Sequence, residues 1–409
     1  MESGISQEGS ITEETHEGVR QRKILSGSPE FLKIKYGERI LEEAKDHPLY
    51  LMMNLETTCN TFRCGKCACP GRNRKLGEPL TLEERKQIFD LFSAAGANEL
   101  VIVGAGEPSE SENFAPIVKP TLEAAKESGL GSIVFTTGVG LTIEQDKFFR
   151  DNNTTIIISL DSLDPEVYRT IMGNKNVDIE WIKNNINMLR EVYGETQEIL
   201  EDGSKIVRIG INTTVMLPNE SELDNIKKFA GKDMMYVANP AIPSGKFANY
   251  RGNWDRLAGE GEEGRKNWER HRNLAKEKSE TEGHSSLTEG VCGYGYFGMA
   301  IDVDGAEMIC GYQGDSAHFL GNIKELLKLP KEEAADKLKR NYRAQHWAYR
   351  TTAADMKRRP SCPMRDPEFN AAFHKNLQEV LWMIENGLEL GEISDDDILE
   401  DPLFDNEKE

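Results

Sequence analysis

The sequence has no run approaching the roughly 18 consecutive apolar residues of a membrane helix. Its opening, MESGISQEGSITEETHEG, lacks the basic and apolar regions of a signal or transit peptide, so a cytoplasmic location is expected. Basic residues are in deficit: 50 Lys plus Arg face 70 Asp plus Glu across 409 residues, a formal charge of −20. A field of that sign argues against nonspecific binding of nucleic acid. Aromatics are only 8%, yet 38% apolar and 29% charged residues describe a globular chain of two or three domains and not a disordered one. Cysteines are few and odd in number, seven in all, which does not suggest a disulfide framework.

The acidity is concentrated at the ends. Residues 1–17 hold five acids and no base, and residues 386–409 hold ten acids and one base. These two segments carry −14 between them and leave only −6 for the body. Both read as solvated tails.

What is present in excess is local. Cys59, Cys64, Cys67 and Cys69 fall within eleven residues. Scattered buried thiols rarely cluster so. Close cysteines in an intracellular chain ligate a metal or an iron–sulfur cluster, and a structural zinc site is the bland alternative. Cys292, Cys310 and Cys362 are far apart and need a separate argument.

Strand and helix patterns then alternate. Residues 30–46 read as one helix, with apolar positions at 31, 32, 34, 40 and 41. LYLMMNLETTC is a short apolar run ending in the cysteine cluster, and TLEERKQIFDLFSAAG is an amphipathic helix with a Thr-x-x-Glu capping box. ELVIVGAGEP, SIVFTTG, TTIIISLD, KIVRIGINTTVM and DMMYVANPAIPSG read as further strands with helices between them. Continuous Val/Ile runs alternating with helices indicate a parallel sheet covered by helices. Six such units over residues 48–245 predict an α/β fold, a partial (β/α)6 barrel. Sites in such folds lie at the C-terminal ends of the strands. Those ends carry Cys59, Gly104-Ala105-Gly106-Glu107-Pro108, Thr136-Thr137-Gly138, Ser159-Leu160-Asp161, Asn212 and Pro243-Ser244-Gly245.

At this point the chain resembles the radical S-adenosylmethionine (SAM) superfamily, on the cysteine cluster after strand one, GAGEP after strand two and IISLDSLDPEVYRTIMG around strand four. The resemblance implies a [4Fe–4S] cluster on three thiolates, its fourth iron open to S-adenosylmethionine. The usual spacing is C-x3-C-x2-C, whereas Cys59, Cys64 and Cys67 make C-x4-C-x2-C. Cys69 offers an alternative third ligand or a hydrogen donor. The family pattern assigns cofactor contacts to Gly104, Ala105, Gly106 and Glu107, with Ser159 and Asp161 for the carboxylate or ribose, Asn212 for the ribose, Arg169 for the carboxylate, and Thr137 beside them. The run VMLPN at 215–219 would border the adenine. Ala105 stands where many relatives have glycine.

The pattern changes after residue 245. Residues 246–285 are charged, with little apolar periodicity, and read as a helical linker or an exposed helix. Residues 286–370 contain AIDVDGAEM, an alternating run about Asp304-Gly305 that signals a hairpin, flanked by Cys292 and Cys310, with Cys362 further on. This resembles the twitch extension, a shortened SPASM-like domain in which a hairpin and a helix hold an auxiliary iron–sulfur cluster. The fold expected is therefore a barrel with a small C-terminal hairpin-and-helix domain, a leading segment at 1–47 and a final helix and tail at 371–409.

Two basic stretches interrupt the acidity. One is Arg63, Lys66, Arg72, Arg74 and Lys75, and the other is residues 336–359, with eight Lys or Arg against two Asp. The first suits a small polar or anionic substrate near the site; the second reads more readily as the solvated face of a helix. The expected function is radical SAM chemistry on such a substrate, leading to dehydrogenation, epimerisation or bond formation. The expected electron donor is a flavodoxin or ferredoxin. The alternatives are a peptide-modifying maturase and a non-catalytic iron–sulfur or zinc scaffold.

Overall fold

The computed structural model describes residues 22–37, 39–59, 64, 76–104, 106–174, 177–194, 198–201, 203–241, 259–280, 297–308, 311, 319–356 and 367–388. The strands are β1 (Lys23–Leu25), β2 (Tyr50–Asn54), β3 (Glu99–Gly104), β4 (Gly131–Thr136), β5 (Thr154–Ser159), β6 (Lys205–Val207), β7 (Ile209–Val215), β8 (Met235–Pro240), β9 (Gly298–Ile301), β10 (Ala306–Met308) and β11 (Phe319–Asn322). One nine-stranded sheet runs in the order β11-β10-β9-β2-β3-β4-β5-β7-β8. Its run from β9 to β8 is parallel throughout. The six barrel strands read from the sequence are thus β2, β3, β4, β5, β7 and β8.

Helices cover the outer face. These are α3 (Leu82–Ala95), α4 (Ser111–Asn113), α5 (Lys119–Glu127), α6 (Ile143–Asp151), α7 (Pro165–Met172), α8 (Ile179–Tyr193) and α9 (Leu223–Ala230), whereas α1 (Pro29–Tyr36) and α2 (Arg39–Glu43) belong to the N-terminal segment on the inner side. The capping box is present: the Thr81 hydroxyl accepts from the Glu84 amide while the Glu84 carboxylate accepts from the Thr81 amide. Strand side chains alternate between two cores, as the two-residue period requires. Leu51, Met53, Leu100, Ile102, Ile156 and Ile158 face outward onto Phe89, Phe92 and Phe149 of the helices. Tyr50, Met52, Val101, Val103, Ile133, Ile157 and Met235 face inward.

The N-terminal segment fills the base of that interior. Leu25, Leu32, Ile40 and Ala44 join the inner core. The Tyr50 hydroxyl donates to Gly27 O at 3.0 Å, and Thr155 Oγ1 to Ser26 O at 3.1 Å. Lys23 Nζ, nearly buried, pairs with Glu280 at 2.7 Å and donates to Met234 O at 2.6 Å. One helix was expected over 30–46. There are two, because Gly37 takes φ 92 at the end of α1, a conformation that stops the helix.

Two further expectations need correction. The charged stretch at 246–285 contains the helix Gly261–Lys278, which packs against β8 as the sixth cover of the barrel. Its buried stripe is Gly264, Asn267, His271 and Ala275, which explains the missing apolar period. The hairpin about Asp304-Gly305 forms, with Glu307 opposite Ile301 and Met308 opposite Ala300. It makes no separate sheet: β9 pairs in parallel with β2, from Tyr50 with Gly298 to Met53 with Ile301. Pairing covers an edge that β2 would otherwise expose. Whether this region holds a cluster turns on Cys292, Cys310 and Cys362, which lie outside the described residues.

Among the described residues no helix is long and apolar enough to cross a membrane. The basic residues at 336–359 fall mostly on the helix Lys331–Met356. Arg350 is buried, while Lys337, Arg340 and Arg343 are exposed, as expected of an amphipathic helix.

Two buried acids make stability depend on pH. Burial pushes both Glu99, at the start of β3, and Asp146, on α6, up to about 7. Neither Asp146 oxygen has a hydrogen-bond partner among the described residues. Each group keeps its proton in the fold after the unfolded chain has lost it. The folded chain therefore binds more protons between about pH 4 and pH 7, and stability falls as pH rises through that window. Asp146→Asn should add about 1–3 kcal/mol at pH 7.5 and less at pH 5. Urea unfolding of both proteins at the two pH values checks this, and an equal effect at both would contradict it.

Candidate cofactor and cluster site

The inner face changes character toward the C-terminal ends of the strands. Below, it is the apolar layer of Tyr50, Met52, Ile157 and Met235. Continuing the same alternation upward gives Asn54 on β2, Ser159 on β5, Asn212 on β7 and Asn239 on β8. Ser159 and Asn212 are register partners, and Asn239 Nδ2 donates to Asn212 Oδ1 at 2.6 Å. A polar layer on a dry floor can orient a ligand while keeping water out from below.

Beside this layer, the cysteine segment is joined to the loop after β3. A Cβ on Gly106 would lie 2.4 Å from Thr58 O and 2.5 Å from Thr57 O, so only glycine fits. Glu107 N donates to Thr58 O at 2.9 Å. Asn113, buried on α4, closes the join. Its Nδ2 donates to Thr58 O at 2.7 Å and to Glu107 O at 2.8 Å, and its Oδ1 accepts from Thr58 N at 3.0 Å. Thr58 immediately precedes Cys59, so the backbone leading to the first thiol is fixed on both edges.

Glu107 itself is buried, and its carboxylate is taken by the protein. Oε1 accepts from Ser109 N at 3.0 Å, from Ser109 Oγ at 2.7 Å and from Thr136 Oγ1. Oε2 accepts from Thr137 N at 2.8 Å and Thr137 Oγ1 at 2.7 Å. Five donors fill the capacity of a carboxylate. Glu107 and Thr137 therefore tie the end of β3 to the end of β4. Gly140 extends this tie, because its N–H reaches Ser109 Oγ at 3.0 Å and a Cβ there would meet Ser109 O at 2.0 Å.

The end of β5 is built the same way. Asp161 is fully buried and accepts from Thr214 N at 2.8 Å through Oδ1. Asn219, in the run expected to border an adenine, clamps the two loops. It donates to Asp161 O at 2.7 Å and Thr214 O at 2.9 Å and accepts from Met216 N at 2.8 Å. Glu222 accepts from Ser162 Oγ at 2.7 Å and Leu163 N at 2.8 Å, and Asp164 caps α7 by accepting from Glu166 N and Val167 N. These bonds fix α7, which carries Tyr168, half-buried Arg169 and Met172. Arg169 Nε is buried and has no hydrogen-bond partner among the described residues.

Cys59 is exposed at the end of its strand segment, and Cys64 is half-buried, its Sγ 3.9 Å from Met172 Sδ. Cys67, Cys69, Ala105 and the first basic stretch lie outside the described residues. The chain after the cysteine segment runs beneath the hairpin turn. Gly77 N donates to Asp304 Oδ2 at 2.9 Å, and Leu80 N to Val303 O at 2.8 Å. Asn54 Nδ2 donates to Gly311 O at 2.9 Å and to Asp302 Oδ1 at 3.2 Å. A Cβ on Gly311 would lie 2.4 Å from Val103 Cγ2, which places the backbone after Cys310 on the inner face of the barrel.

Two thiols, a glycine cradle beside the first of them and a buried phenol with no acceptor among the described residues fit an iron–sulfur cluster ligated at this strand end. The phenol is that of Tyr168. Asn54, Asn113 and Asn219 were not read from the sequence as structural groups of the site. For Asn54 a signal existed: it is polar at the inward parity of an otherwise apolar strand.

Residues 53–230 match the family model described as the Radical SAM superfamily. The GTP 3',8-cyclase of Aeromonas hydrophila is 30% identical over 184 residues, 43% of this chain and 48% of that protein. The GTP 3',8-cyclase of Actinobacillus succinogenes is 28% identical over 193 residues, 46% of this chain and 52% of that protein. The chain spans about half the length of these curated relatives. Among solved structures, Streptococcus suis SuiB bound to S-adenosylmethionine aligns with TM-score 0.48 and 16% identity, over 73% of this chain and 70% of that one. Native anSMEcpe with bound AdoMet aligns with TM-score 0.49 and 11% identity, over 70% of this chain and 80% of that one.

Proposed function

We propose that this chain, through its radical SAM domain at residues 53–230, is an enzyme that generates a radical from S-adenosylmethionine and applies it to a small polar or anionic substrate. The carrying observation is the join of Thr58, Asn113 and the Gly106–Glu107 backbone, which fixes the approach to Cys59 beside a polar strand-end layer. A [4Fe–4S] cluster on Cys59, Cys64 and Cys67, reduced by a flavodoxin or ferredoxin, supplies the electron that cleaves the cofactor to methionine and a 5′-deoxyadenosyl radical.

The rest is the work of the chain's own residues. Backbone carbonyls of the Gly104–Gly106 loop accept from the cofactor's ammonium group, and small residues there allow close approach. Glu107 and Thr137 act through the loop they hold. Arg169 meets the carboxylate, Ser159 and Asn212 meet carboxylate or ribose oxygens, and Asp161 accepts from ribose hydroxyls. The apolar floor keeps water from the radical. Cys292, Cys310 and Cys362 ligate a second iron–sulfur cluster, in a twitch-like region, with Cys69 in reserve as a ligand or hydrogen donor. The enzyme works in the cytoplasm.

The relatives' name gives their substrate as GTP and their reaction as ring closure. A nucleoside triphosphate belongs to the anionic class proposed here, and bond formation is the favoured outcome of the three. Two measurements test the reading. After anaerobic reconstitution, about eight irons per chain support two clusters, and about four remove the second. Incubation with GTP, S-adenosylmethionine and reductant should convert GTP to an isomer of equal mass. Recovery of GTP unchanged while 5′-deoxyadenosine forms would remove the nucleotide and leave the radical chemistry standing.

A further inference from the structure

Tyr168 is fully buried, and its hydroxyl makes no hydrogen bond with any described residue. A buried phenol left unpaired is costly, so an acceptor is expected in the working protein. The capping of α7 by Asp164 fixes which way this face of the helix points. Tyr168 and Met172 are four residues apart and share that face. Met172 Sδ lies 3.9 Å from Cys64 Sγ, and Cys64 packs against the core that contains both residues. Asp161, Cys64 and Glu107 stand near the hydroxyl, and a phenol keeps its proton at neutral pH, so it is a donor. Of these neighbours, Glu107 is already filled by five donors. Asp161 Oδ1 takes the Thr214 amide, which leaves its Oδ2 as the competing acceptor that the test must separate from Cys64.

We propose that the Tyr168 hydroxyl donates a hydrogen bond to the Cys64 sulfur, or to a sulfide beside it, in the iron–sulfur-loaded chain, and so tunes the reduction potential of that cluster. The inference rests on the radical SAM reading. An O–H···S bond draws electron density from sulfur and favours the reduced, more negative state, which raises the potential. Tyr168 is a positioning and tuning residue; it does not touch substrate.

The test uses Tyr168→Phe and a full-length chain with 3-fluorotyrosine at 168, both reconstituted anaerobically beside wild type. Iron per chain is counted, and the midpoint potential is read by EPR-monitored redox titration. The Phe variant should keep its iron and shift to a more negative potential. The more acidic fluorophenol should shift it the other way. Unchanged potentials in both proteins overturn the inference, as they would if the phenol donated to Asp161 instead. If the Phe variant loses its iron, the fluorotyrosine protein decides alone by the same criterion. A wild-type chain that takes up no iron defeats the radical SAM reading and this inference with it.

Discussion

Gly106→Ala should reduce the rate of S-adenosylmethionine cleavage by about a hundredfold or more, with a lower melting temperature. The added methyl would stand 2.4–2.5 Å from Thr57 and Thr58 backbone atoms. Backbone cannot rotate away as a side chain can, so the loop and the strand end must part. Overpacking of this kind costs about 1–3 kcal/mol in stability. The functional loss is larger because Cys59 follows the displaced residues directly, and a shift of about 1 Å at a reacting centre can cost about a hundredfold. The comparison is 5′-deoxyadenosine formed per minute in reconstituted wild type and variant, with a thermal melt of each. Wild-type cleavage in the variant would show that the join does not set the site.

Glu107→Ala should be the most destabilising single change at the site, by about 3–5 kcal/mol, because several buried donors lose their acceptor at about 1–3 kcal/mol each and some find another. It strands the Ser109 and Thr137 amides and the hydroxyls of Ser109, Thr136 and Thr137 in a buried environment. Glu107→Gln should cost less, because one acceptor oxygen remains and the threonine hydroxyls can turn to accept. Urea unfolding gives the ranking wild type, Gln, Ala. If Ala were as stable as wild type, the carboxylate would not be holding the strand ends together. Loss of S-adenosylmethionine affinity in proportion to stability would identify the residue as acting through the loop.

The barrel strands were legible because their Val and Ile runs are buried on both faces and bounded by chemistry-rich turns. The cysteine segment and GAGEP were legible because they are dense local signals. Other parts were hidden for physical reasons. The sixth helix buries Gly264, Asn267, His271 and Ala275, residues that no hydrophobic pattern marks. The pairing of β9 with β2 joins residues some 250 positions apart, and no local pattern encodes it. Gly37 ends α1 through one positive φ within an otherwise helical stretch. Asn113 and Asn219 satisfy backbone groups, a role that depends on where loops meet. Glu107 was legible as important, but its two roles, ligand contact or loop anchor, could be separated only once its five donors were located.

The proposed function requires that the strand-end layer and its cysteine segment form a site for reductive cleavage of S-adenosylmethionine. The most direct measurement follows 5′-deoxyadenosine and methionine after anaerobic reconstitution with iron and sulfide, in the presence of S-adenosylmethionine and dithionite. Equal amounts of the two products are expected from wild type and none from Cys64→Ala. An iron-loaded wild-type chain that forms no 5′-deoxyadenosine would contradict the claim and favour a non-catalytic iron–sulfur scaffold.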